Sequence, residues 1–157
     1  DARCMGRDGR GAEDRERYES LQRCLEWGLV MAGFITELDV RCINDGQWKL
    51  DSPLKYLSDI VGLIDVPAGF ETDFASVPRV PILYTFFGDR AHREAVLHDY
   101  LYRKDSIPMV ERSQADDVFF EAMDERGKGF LIRYGMWLGV RAGGWTAYHE
   151  KLVTDKL

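Results

Sequence analysis

Partway along the chain the spacing of the apolar residues changes, and that change constrains the fold more than any other feature. Between Phe34 and Phe74 the spacing is two. Leu38, Val40 and Cys42 alternate with Asp39 and Arg41, Asn44-Asp45-Gly46 offers a turn, and Trp48 and Leu50 flank Lys49. Strand, tight turn and strand are expected, because Asn and Gly accept the positive φ such a turn demands. Ile60 to Val66 predicts a further strand, closed by Pro67-Ala68-Gly69, and Phe70 to Phe74 a short last one. From about Asp89 the spacing is helical. Helices are predicted over about Asp89 to Arg103, from Ser113 to about Arg126, and over about Phe130 to Arg141. Pro108 separates the first two, and Gly127 and Gly129 end the second. Phe130, Tyr134, Trp137 and Leu138 share a face of the third, and Gly143-Gly144 closes it before a tail with Trp145 and Tyr148. Strands first and helices afterwards mean an α+β fold, with a small antiparallel sheet (34–74), then a helical hairpin and a third C-terminal helix (89–145).

Ahead of the sheet, residues 1–17 are crowded with charge and glycine and lack the apolar stretch of a signal peptide, so a flexible arm is expected there. Tyr18, Leu21, Leu25 and Leu29 recur near helical spacing and predict an extra helix over 18–32. Residues 18–157 then make a single domain, since 157 residues that are 45% hydrophobic suffice for one core. No window is apolar for long enough to predict a membrane span. A net charge of −6 with scattered Lys and Arg argues against nucleic acid as a partner. Cys4, Cys24 and Cys42 are odd in number and widely spaced, which reads as free thiols and not as a zinc or disulfide framework.

His98 and Asp99 are adjacent in Ala95-Val96-Leu97-His98-Asp99-Tyr100-Leu101-Tyr102-Arg103, and Asp116 follows on the next predicted helix. Histidine suits general-base work because its reference pKa lies near 6.5. Neighbours on a helix diverge by about 100°, so Asp99 faces a different part of any pocket from His98. If the two helices are antiparallel, Asp116 or Asp117 can reach a ring nitrogen of His98 and fix its tautomer; Asp116 is favoured. A plainer role competes, because Ser113-x-x-Asp116 has the spacing of a helix capping box.

Phe70-Glu71-Thr72-Asp73-Phe74-Ala75-Ser76-Val77-Pro78 holds hard oxygen donors at a strand end. Asp73 with Asp99 would suit calcium or magnesium. A turn held by side-chain to backbone hydrogen bonds explains the same residues. Ser76 lacks the glycines of a nucleophile elbow. Trp137, Trp145 and Tyr148 are expected in the core.

Two resemblances rest on these residues. Val66-Pro67-Ala68-Gly69-Phe70-x-Thr72-Asp73-Phe74-Ala75-Ser76-Val77-Pro78, with Leu97-His98-Asp99-Tyr100-Leu101-Tyr102 and Ala115-Asp116-x-x-Phe119, resembles a family of tailed phages and prophages over about Gly33 to Trp145. His98, Asp99 and Tyr102, with Arg103 after them and Asp116-x-x-Phe119 beyond, are also similar to the phospholipase A2 superfamily, especially its bacterial branch. That similarity implies His98 as the base activating water, Asp116 as its orienting partner, Asp99 and Asp73 as calcium ligands, and Tyr102 and Phe119 in support; Ser76, in the segment after the last strand, is a further supporting candidate. Where that superfamily carries cysteines flanking the histidine, Ala95 and Leu101 stand here, and the glycine-rich calcium loop of the animal enzymes is missing.

The resemblances imply a phage-associated, calcium-dependent hydrolase of lipid esters. The protein is then expected in the host cytoplasm during assembly and on the virion, meeting other virion proteins through its arm and N-terminal helix. The alternative is a virion structural or assembly protein that uses the same polar cluster as a structural network. A peptidoglycan-cleaving zinc enzyme is disfavoured by the shortage of histidines.

Overall fold

A computed structural model describes residues 32–44, 46–74, 91–144 and 147–156. The arm expected over 1–17, the helix expected over 18–32 apart from Ala32, and Cys4, Cys24, Ser76 and Trp145 lie outside them. Among the described residues six strands precede three helices: β1 Gly33–Phe34, β2 Val40–Asn44, β3 Gln47–Leu50, β4 Leu54–Ser58, β5 Gly62–Val66, β6 Glu71–Thr72, α1 His92–Leu101, α2 Arg112–Glu125 and α3 Phe130–Gly143. The class is α+β, as expected.

Two small antiparallel sheets stand where one was expected, with strand orders β1-β4-β5 and β2-β3-β6. The expected turn joins β2 to β3, and Gly46 there takes a φ of 79°. The unforeseen strands are β1, only two residues long, and β4. Leu54, Tyr56, Leu57 and Ser58 are all buried, so both its faces are covered and the alternation that betrays a half-exposed strand is lost. Thr36 fixes this strand to β1: its hydroxyl donates to the Pro53 carbonyl at 3.0 Å and accepts the Lys55 N–H at 2.9 Å. Pairing then sets Leu54 against Val66 and Tyr56 against Ile64.

Along α1 every residue from Glu94 to Leu101 except Asp99 is buried. A helix covered on nearly all sides belongs in the middle of a domain. Val96, Leu97, Tyr100 and Leu101 share a cluster with Leu54, Ile64, Val66 and Phe70 from the sheets, and Ala115, Val118 and Ala122 of α2 complete it. Each large aliphatic side chain buried here contributes about 1.5–3 kcal/mol. The cluster makes α1 a rigid base for its polar residues.

Two expectations about the helices need correction. Helix α2 is capped by Glu111, not Ser113: the Glu111 amide donates to Gln114 Oε1 at 3.0 Å, and the Glu111 side chain accepts in return. This box starts the helix two residues early, and Asp116 is left to face inward. The second concerns α3, whose Trp137 was expected in the core. Its core-facing residues are Met136 and Val140, which pack with Phe119 and Met123, whereas Phe130, Tyr134 and Leu138 point outward and are exposed. Trp137 and Tyr148 are half-buried.

Candidate active site

Helices α1 and α2 run antiparallel, so Glu94 at the start of α1 lies near Arg126 beyond the end of α2, and His98 lies near Asp116 in the first half of α2. The pairing places His98 Nε2 2.9 Å from Asp116 Oδ1. The Tyr102 hydroxyl, just past the end of α1, donates to the same oxygen at 2.6 Å. Asp116 Oδ2 faces Arg141 of α3 at 3.3 Å and Arg112, one turn back on α2, at 3.6 Å. Asp117 points elsewhere and accepts the Trp137 indole N–H at 3.3 Å.

Asp116 is wholly buried, and a buried charge is tolerable only with such company. Burial pushes its carboxyl up. The hydrogen bonds from His98 and Tyr102, the attraction of His98 and the Arg141 hydrogen bond together outweigh burial and hold it below the usual aspartate value. An ionised carboxylate can only accept. The proton of this contact therefore sits on His98 Nε2, which donates to Asp116 Oδ1. Burial, then the bond to Asp116, raise the Tyr102 phenol well above its ordinary value, so it remains a donor. The imidazole is packed between Tyr102, 4.1 Å away between ring centres, and Phe119 at 5.1 Å.

Asp99 turns away from this pair, as helical geometry requires. Its Oδ2 accepts the Thr72 hydroxyl at 2.5 Å, and Thr72 Oγ1 in turn accepts the Phe74 amide at 3.1 Å. Phe74 holds a φ of 53°, uncommon for an aromatic residue, with its ring stacked on His92 at 4.5 Å. The end of β6 is thereby tied to α1, and Asp73 lies in the tied stretch. Among the described residues no three His, Cys, Asp or Glu side chains gather as a metal site would need. The donors present are carboxylate and hydroxyl oxygens, the kind that calcium takes.

Two arginines that complete the cluster, Arg112 and Arg141, were not foreseen. Arg112 was legible in principle, four positions before Asp116 on the same helix. Thr72 sat inside a segment already singled out. Arg141 had no local signal, because only the packing of α3 on α2 brings it to Asp116.

No curated protein and no solved structure matches this chain. Residues 48–140 match the model of a family described as "Protein of unknown function (DUF1353)". That stretch spans β3 to most of α3 and contains His98, Asp99, Tyr102, Asp116 and Phe119. The chain belongs to the DUF1353 family.

Proposed function

We propose that this chain is a phage-associated hydrolase of the phospholipase A2 type, acting on a lipid ester through His98 and Asp116. One observation carries the reading: His98 Nε2 donates to a buried, ionised Asp116 at 2.9 Å. In this reading the ring's other nitrogen is the base. Nδ1 takes a proton from water, and the water oxygen bonds to the ester carbonyl carbon. The tetrahedral adduct collapses as the bond to the alcohol oxygen breaks, and the imidazolium returns its proton to that oxygen. A fatty acid and an alcohol result, and the ring is neutral again. Asp116 holds tautomer and orientation throughout.

Calcium fits in kind: Asp99 and Asp73 would hold it, and when bound it supplies a Lewis acid for the ester carbonyl. The matching His-Asp-x-x-Tyr and Asp-x-x-Phe spacings favour a lipid substrate. The test is fatty-acid release from phospholipid vesicles with calcium and with chelator, by the intact protein and by His98→Ala. Release that needs His98 supports the reading. A folded protein that releases nothing removes it.

A second reading has its own observation. His98 is only 3% exposed and every side of Asp116 is satisfied, as suits a structural network in a virion or assembly protein. Stoichiometric presence in particles, a silent lipase assay from the folded parent and impaired particle assembly by His98→Ala would favour that role.

A further inference from the structure

We infer that Arg141, on α3, is the positioning residue that sets the plane of the Asp116 carboxylate and hence the orientation of His98; the inference rests on the hydrolase reading above. Two donors, His98 Nε2–H on α1 and the Tyr102 hydroxyl just past its end, land on the same oxygen, Oδ1. With only that oxygen engaged, the carboxylate could turn about its Cβ–Cγ bond and offer His98 either oxygen at a range of angles. Arg141 stops this by donating to Oδ2 at 3.3 Å.

The guanidinium is itself braced. It lies over the Trp137 ring, 5.1 Å from its centre, and the Trp137 indole N–H is tied to Asp117 Oδ1 at 3.3 Å. Arg112 adds a second cation 3.6 Å from Oδ2 and donates to the Arg141 backbone carbonyl at 3.1 Å. Side chain and backbone of Arg141 are thus both fixed to α2, and α3 acts as a splint along the helix that carries Asp116. Arg133, on the same helix, pairs with Asp124 and lies over Phe120, so it supplies an ion pair of the same type away from the site.

The experiment compares Arg141→Gln, Arg141→Lys and Arg133→Gln in the full chain. Hydrolysis is followed on vesicles of phosphatidylcholine and phosphatidylglycerol with calcium, and nitrogen-15 NMR reads the His98 ring. Arg141→Gln is expected to lower kcat by about 100-fold with KM unchanged, the scale of a misplaced catalytic group. It also converts a single Nε2–H tautomer into a mixture. Arg141→Lys recovers most of both, and Arg133→Gln resembles the parent. A parent-like tautomer and kcat in folded Arg141→Gln overturn the inference. If Arg141→Gln does not fold, Trp137→Leu removes the brace alone, and a parent-like tautomer there overturns it instead. A folded parent with no hydrolysis removes the hydrolase reading, while the NMR comparison still decides whether Arg141 orients the ring.

Discussion

His98 and Asp116 stand 18 positions apart in sequence, yet the imidazole N–H of one meets the carboxylate of the other at 2.9 Å. The carboxylate also receives Tyr102 and faces two arginines, so removing its charge strands all of them. Asp116→Asn keeps the shape and deletes the anion. Breaking a buried pair in this way costs about 3–5 kcal/mol, measurable by urea unfolding. Hydrolysis is expected to fall by about 10⁴-fold, as when a triad aspartate becomes an amide. A loss of stability below about 1 kcal/mol, less than a single lost hydrogen bond to a charged group, would contradict the network described here.

Acid should expose the same residue. Asp116 titrates lower in the folded chain than in the unfolded one, because its hydrogen bonds and nearby cations outweigh burial. Its contribution is therefore complete above the unfolded value, about 3.9, and disappears as pH falls through the lower folded value. Urea midpoints between pH 5 and the acid transition should drop more steeply for the parent than for Asp116→Asn. Parallel curves would count against an ionised Asp116.

Glu94 should behave in the opposite sense. It is fully buried one turn before His98, and among the described residues no other side chain comes within hydrogen-bond distance of its carboxylate oxygens. Arg126 and Lys128 approach only to 3.8 and 4.0 Å. Burial raises its carboxyl above the usual glutamate value despite those cations. Below the unfolded value, about 4.3, both states hold the proton and nothing is lost. As pH rises past it the unfolded chain ionises first, and stability declines. Glu94→Gln should thus gain on the parent in thermal unfolding at pH 7, with little difference at pH 4. A gain confined to pH 4 would reverse the assignment.

Gly144, the residue that ends α3, leaves room for the Tyr102 hydroxyl. A Cβ there would collide with that oxygen and lie 2.7 Å from the Val140 carbonyl. Gly144→Ala should cost about 1–3 kcal/mol, as overpacking does. Part of that cost comes from pushing Tyr102 off Asp116. In a double-mutant cycle with Tyr102→Phe the losses should be less than additive by more than about 0.5 kcal/mol. Strict additivity would mean that the glycine does not guard the hydroxyl.

The sequence made the parts of this molecule legible where one element carries its own pattern. The β2–β3 hairpin was readable from alternation and the Asn44-Asp45-Gly46 turn, and the three helices from their spacing and glycine stops. The His98–Asp116 contact followed from two antiparallel helices of the right length. Covered on both faces, β4 was invisible, and its absence from the reading merged two sheets into one. Trp137 on α3 was expected in the core and is half-buried; an apolar stripe carries no sign of which way it points. Arg141 was out of reach for the same reason. Its meaning depends on a tertiary contact between helices, not on its neighbours in the chain.

The most direct measurement is the initial rate of acid release from phospholipid dispersions, followed by pH-stat with calcium present, for the intact protein and for a folded His98→Ala. The account expects steady release by the first and, since a triad member typically sustains several powers of ten, a rate lower by at least about 10³-fold for the second. Equal rates, or none from a well-folded parent protein, would contradict it.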